Sequence, residues 1–270
     1  MLVDESQSLQ LLPLRRRFQK NLRQQSSQIA KTPSTIISIP IPDDVQNEDS
    51  QRLVDEYLMG LALEQAREAG DKFGEVPIGA IVAEQQQQVD DNDDDSPKEI
   101  KVSILSYGQN QIETNHDASA HAEIQSLRSA ARNIQNWRLL NATLYSTLEP
   151  CPMCLSAAQA FRVKRVVYGA PDLRLGAVET YMKLLDYPHP FHGADAMEVV
   201  GGVRAEEAKT LLVDFFRARR KMGKRKKIAA SSTKEIIDGN VVASNHKHQK
   251  QGGILERIRN KFKIDVKNLD

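Results

Sequence analysis

Apolar residues recur at helical spacing through Val54, Leu58, Leu61, Ala62, Ala66 and Ala69, with Gln65 on the same stripe. This periodicity predicts a helix that stops at Gly70. Two runs of β-forming residues follow, Val76–Ala83 and Ile100–Tyr107, and read as the strands of a hairpin. A helix is expected from about Ala120 to Asn133, carrying Ile124, Leu127, Ala130, Ala131 and Ile134, with Ser119 as its N-cap. Ala142–Leu148 reads as a strand, Pro152–Phe161 as a helix and Val163–Gly169 as a strand. A last helix, about Ala205–Lys221, draws its apolar face from Leu211, Leu212, Phe215 and Phe216. A hairpin followed by alternating helices and strands predicts a layered α/β domain with a mixed sheet, spanning roughly residues 50–222.

The polar stretches between and around these elements fall in charge blocks. The totals nearly cancel, 37 Lys+Arg against 36 Asp+Glu for a net +1, so the distribution carries the information. Ser6 to Pro42 contains no acid, while Arg15, Arg16, Arg17, Lys20, Arg23 and Lys31 lie among Ser and Gln. Residues 1–49 therefore read either as a disordered basic arm or as an organelle transit peptide, with Asp4 and Glu5 against a clean transit signal. Residues 84–99 hold a Gln/Asp tract, expected to be a solvated loop inserted in the hairpin. Arg217, Arg219, Arg220, Lys221, Lys224, Arg225, Lys226 and Lys227 form a basic block that opens a flexible polar extension over 223–270. No apolar run approaches the roughly 18 residues of a membrane span, so no membrane role is expected. Two cysteines three residues apart cannot staple a fold. They favour an intracellular, reducing compartment: a plastid or other organelle if the arm is a targeting segment, the cytoplasm otherwise.

Two motifs carry chemistry. His121-Ala-Glu123 falls at a helix start, and Pro150-Cys151-Pro152-Met153-Cys154 falls at a strand-to-helix junction. Each is weak alone: the His could be solvated, the Glu could complement the helix dipole, and Cys-x-x-Cys could be a redox pair or half a zinc knuckle. Together, one imidazole and two thiolates suit Zn²⁺ with an open position for water. Histidines 116, 189, 192, 246 and 248 leave a closed site open as an alternative. Pro152 fits the first position of a helix, which would put the thiols at a positive helix end that favours their deprotonation. Glu123, two residues past His121, could then move protons beside the metal without binding it.

His-x-Glu with Pro-Cys-x-x-Cys is the zinc deaminase signature. Around it, Glu75-Val-Pro-Ile-Gly-Ala80, Asn110, His116-Asp117, Asn136–Arg138, Ala142–Cys154, Val166–Gly169 and Asp214–Arg220 resemble the bacterial-type tRNA adenosine deaminases of the cytidine deaminase superfamily. Pro188-His-Pro-Phe-His192 resembles the plastid branch. The resemblance covers roughly Asp55 to Lys221. It implies a three-layer α/β/α fold with a mixed sheet of about five strands, and conversion of adenosine to inosine at the first anticodon position of a tRNA, chiefly the arginine tRNA. It implies one Zn²⁺ on His121, Cys151 and Cys154, Glu123 as proton shuttle, and Asn110 bonded to the flipped purine. Glu75, Val76, Pro77 and Leu148 match pocket-wall positions, Asp172 a loop beside the substrate, and Phe216, Arg219 and Arg220 the helix that contacts the anticodon stem-loop. A homodimer is implied as well.

Two other readings compete. A deaminase of a free base or nucleoside such as guanine or cytosine fits the metal motif, but gains little from the basic block. A non-catalytic RNA-binding subunit fits the basic block, but such partners typically lose the Glu of His-x-Glu, which is present here as Glu123.

Overall fold

In a computed structural model of the chain, residues 35–42, 47–86, 99–187 and 197–225 are described. Their strands are β1 (Thr35–Pro40), β2 (Gly79–Gln85), β3 (Glu99–Gln109), β4 (Ala142–Leu148), β5 (Arg165–Ala170) and β6 (Glu198–Val200). Their helices are α1 (Asn47–Phe73), a single turn α2 (Ile112–Asn115), α3 (Ala122–Asn133), α4 (Pro152–Ala160) and α5 (205–225). The chain divides into two units, Met1–Phe215 and Phe216–Asp270. The described part of the second unit, residues 216–225, is helical and exposed.

The six strands form one sheet in the order β1-β3-β2-β4-β5-β6. β1 pairs antiparallel with β3, and β2 pairs antiparallel with both β3 and β4; β4, β5 and β6 run parallel. Alternation along each strand sends side chains to two cores. On one face Ile39, Ile81, Ile104, Tyr145 and Val167 meet Val54, Leu58 and Ala62 of α1 and Ala208 of α5. On the other, Ala80, Val82, Leu144 and Val166 meet Leu127 and Ala130 of α3 and Leu155 and Ala158 of α4. This is the expected α/β/α architecture.

Six strands stand where about five were expected. β1 comes from the stretch read as a basic arm: Ile37 and Ile39 are buried against β3, through the pairs Ile37↔Val102 and Ile39↔Ile100, and Ile41 joins the same core. Helix α1 continues past Gly70, where a Cβ would lie 3.3 Å from Pro77, and the chain turns instead at Gly74 with φ +66. Ser119 is not the cap of α3; its N–H and hydroxyl both donate to Asp117, and His121 takes the N-cap position. The Gln/Asp tract, for residues 87–98, the segment 188–196 with Pro188–His192, and most of the two extensions lie outside the described residues.

The topology gathers one set of strand ends. Because β2 opposes β3 and β4 while β5 follows β4, the start of β2 and the ends of β3, β4 and β5 share one edge of the sheet. Crevices at the carboxyl ends of strands are the usual ligand sites of α/β sheets. Two glycines allow the close packing there. A Cβ on Gly108 would lie 2.2 Å from the Ala122 carbonyl oxygen of α3, and one on Gly79 would lie 2.1 Å from that of Ala62 in α1.

Candidate active site

Two helix starts bring together three side chains that could hold a metal ion. β4 ends at Leu148, and Cys151 caps α4 with Pro152 in its first turn; His121 caps α3. Neither cap residue makes a side-chain capping bond, so both side chains are available for other partners. His121 Nδ1 lies 3.7 Å from Cys151 Sγ and 3.5 Å from Cys154 Sγ. The donor atoms of these residues all lie within 4.8 Å of one another, and they are the only such group of three among the described residues that could hold a metal ion. Both cysteines are free thiols. Hydrogen bonding from Cys154 and His121 pulls the Cys151 thiol down to about 4, against the effect of burial. The same bond to Cys151 and burial hold the Cys154 proton on. A thiolate, a second sulfur and an imidazole facing one point form a donor set suited to a soft or borderline divalent cation.

Glu123 sits in the first turn of α3 and is 3% exposed. Burial raises its pKa, opposed by its own backbone N–H and by His121. Its Oε2 is buried without a hydrogen-bond partner in the described residues, an unusual state for a carboxyl oxygen in a folded interior.

Asn110 follows β3 and is 2% exposed. Its backbone N–H donates to Ile78 O, and the next residue, Gln111, donates to Ala120 O, just ahead of His121. The end of β3 is thereby tied to the start of α3. Glu75 is completely buried, and its carboxylate accepts from Asn110 Nδ2, the N–H of Glu113, and the N–H and hydroxyl of Thr114. Beside it Pro77 is buried and Val76 half-buried, and Leu148, half-buried, pairs with Ala170. Asp172 lies past β5; its Oδ1 accepts from the N–H groups of Arg174 and Leu175, shaping its own loop. Phe216, Arg219 and Arg220 belong to the second unit, on the exposed face of helical residues.

One buried carboxylate escaped the reading of the sequence. Glu149, 1% exposed, accepts from the N–H groups of Asp172, Val178, Glu179 and Thr180 and from the Thr180 hydroxyl. It thus binds the loop after β5 to the turn that presents Cys151. An acid placed directly before Pro-Cys, at the end of an apolar strand, was the available signal. Thr114 had none.

Residues 54–220 match the MafB19-like deaminase family. A tRNA-specific adenosine deaminase of Haemophilus influenzae is 39% identical over 184 residues, 68% of this chain and 94% of that protein. One from Bacillus subtilis is 40% identical over 170 residues, 63% of this chain and 93% of that protein. The chloroplastic tRNA(adenine(34)) deaminase of Arabidopsis thaliana is 34% identical over 187 residues, 64% of this chain and 13% of that protein. A matched span of this length, with a paired His and Cys-x-x-Cys at adjoining helix starts and an acid beside them, leaves one assignment: the chain belongs to the tRNA-specific adenosine deaminases of the cytidine deaminase superfamily.

Proposed function

We propose that this protein hydrolyses the 6-amino group of adenosine at the wobble position of a tRNA, giving inosine and ammonia, with Zn²⁺ as its resident metal. The observation that carries the reading is Glu123: a buried carboxyl with one unpartnered oxygen, set beside three convergent metal donors. A purely structural metal site has no use for such a group.

His121, Cys151 and Cys154 would hold the ion, and their mutual distances and free thiols fit that task. Zinc bound there supplies a water acidic enough to react at neutral pH. Glu123 takes the proton released as water attacks C6, delivers it to N1, and passes a proton to the departing amine. Its burial suits this work, because burial raises the pKa of the carboxyl and so strengthens it as a proton acceptor. Asn110 offers the purine an amide edge with a donor and an acceptor. Val76, Pro77 and Leu148 wall the base, and Asp172 shapes the neighbouring loop. A base in a stack is out of reach, so the adenosine is taken from a loop and turned outward. Phe216, Arg219 and Arg220 provide an aromatic plane and cations for the anticodon stem-loop. We further propose a homodimer, an arginine tRNA as substrate, a deaminase domain of residues 50–222 to whose sheet Thr35–Pro40 add a strand, and an organelle such as a plastid, rather than the cytoplasm, as the compartment. The last is supported by the chloroplastic relative and by the basic residues of 1–49. No helix among the described residues is long and apolar enough to cross a membrane.

The test is to incubate the purified protein with total RNA and read inosine as A-to-G changes in cDNA. Changes confined to a wobble adenosine are expected. An unchanged transcriptome overturns the reading.

A further inference from the structure

We infer that Glu75 is a positioning residue that fixes which way round the Asn110 carboxamide sits, and therefore which hydrogen-bonding edge meets the purine. This deepens the wobble-adenosine reading and, for its kinetic consequence, rests on it.

A carboxamide has nearly the same shape when turned over, yet its two ends differ: Nδ2 donates and Oδ1 accepts. Packing alone cannot choose between them. The backbone of Asn110 is already set, through its N–H to Ile78 O at 3.0 Å and the following N–H to Ala120 O at 3.0 Å. What remains undetermined is the side-chain flip. Glu75 Oε2 lies 3.2 Å from the amide end assigned as Nδ2. An ionised carboxylate only accepts, so Oδ1 in that place would set two acceptors together with no proton between them.

The carboxylate is held ionised and immobile. Oε1 accepts from the Thr114 N–H at 2.7 Å and the Thr114 hydroxyl at 2.8 Å, and Oε2 accepts from the Glu113 N–H at 3.3 Å. Burial would raise its pKa, but these donors outweigh it and hold the carboxyl below its ordinary value. The Glu75 backbone is anchored too, its N–H donating to Ala69 O of α1 at 3.0 Å just after the turn at Gly74. One Asn110 N–H is thereby spent on Glu75. Oδ1 and the second N–H are the edge left for a ligand.

Glu75→Gln separates orientation from mere support. The new carbonyl goes to the two short Thr114 donors, its amide end faces Asn110, and the Asn110 carboxamide turns over. Thr114→Val is the matching control, because it loosens the same carboxylate without changing the group that faces Asn110.

The first arm needs no substrate. In the ¹⁵N-labelled full chain, the Asn110 side-chain amide is identified by its loss in Asn110→Ala. Its bonded proton should exchange at least about tenfold more slowly than that of a solvated Asn, and this protection should persist in Thr114→Val and vanish in Glu75→Gln. The second arm measures deamination of an anticodon stem-loop. Glu75→Gln should raise KM about 10- to 100-fold, the range expected when a hydrogen bond to a charged group is lost. In an Asn110→Ala background the same change should add less than about twofold, since the two residues act as one unit. An unprotected Asn110 amide in the native chain overturns the inference. So does a Glu75→Gln effect that is equally large without Asn110, or an equal KM effect from Thr114→Val. If the amide is protected as described but the native chain leaves the stem-loop unchanged, the wobble-adenosine reading falls while the positioning role stands on the first arm.

Discussion

At the residue scale, two buried carboxylates shape the loops around three candidate metal donors. Glu75 holds the turn after β3, and Glu149 holds the loop after β5. Both are held below the ordinary carboxyl pKa by donated hydrogen bonds that outweigh burial. For Glu75 the sign is definite. A depressed folded pKa adds stability that is fully present above the unfolded value of 4.5 and is lost as pH falls through the folded value. Glu75→Gln should therefore lower stability at neutral pH and flatten its decline below about pH 4.5. Denaturant midpoints measured across that range check this; an unaltered acid limb refutes it. Among the donors, Cys154→Ala should abolish both tight zinc and deamination, because two remaining ligands rarely hold zinc in water. Glu123→Ala should keep its zinc and its RNA binding yet lose about 10²–10⁴-fold or more in turnover. Elemental analysis beside a rate assay distinguishes the two, and near-normal turnover in Glu123→Ala would remove it from the chemistry.

At the scale of elements, the contact between β3 and α3 governs the site. Gly108 lets β3 pass against the Ala122 carbonyl, and Asn110 and His121 sit just beyond that crossing. Gly108→Ala must push α3 away from the sheet, since the obstructing atoms are the Ala122 carbonyl oxygen and the Ser126 N and Cβ, none of which can swing aside. A loss of about 1–3 kcal/mol or more is expected, with weakened zinc retention as the accompanying sign. Thermal melts and metal content measured on the same preparation test it; a stable variant with full zinc would show that the helix can shift freely. The same scale explains what the sequence disclosed. The His-x-Glu and Pro-Cys-x-x-Cys motifs are short, and each is read whole within one helix start, so they were visible. β4 was legible to the residue, Ala142–Leu148, as a β-rich run bounded by Asn141 and Glu149-Pro150. β1 was not, because Ile37 and Ile39 stand among prolines, serines and basic residues, and the reason for their burial is a strand some 65 positions onward. β6, three residues long, is shorter than any reliable periodicity. Glu149 and Glu75 find their donors 23 to 39 positions away, a distance over which local patterns say nothing.

At the scale of the whole molecule, one buried ion pair joins distant parts of the chain. Arg165 of β5 forms two bonds to Asp55 of α1, at 2.7 and 2.8 Å, across 110 residues of sequence, and a third to Glu198 of β6. The Tyr145 hydroxyl of β4 donates to the same Asp55 at 2.9 Å. Asp55→Ala strands a guanidinium in the interior and should cost about 3–5 kcal/mol in chemical denaturation, whereas an effect below about 1 kcal/mol would mean Glu198 suffices alone. Binding of RNA belongs to this scale as well. Removing residues 223–270 should weaken stem-loop binding and flatten its dependence on salt, with turnover at saturation little changed, because phosphate contacts act through released counterions. Equal binding at every salt concentration would reduce the basic block to solubilising charge. The hairpin of β2 and β3 has a practical consequence of its own. Gln86 at the end of β2 and Glu99 at the start of β3 lie toward the opposite end of the sheet from Asn110, about 25–35 Å away along the strands. Lengthening a closed loop costs only about 0.6 kcal/mol per doubling, so a segment added between Gln86 and Glu99 is expected to be tolerated. A reporter or affinity tag spliced there would ride on the enzyme far from its chemistry.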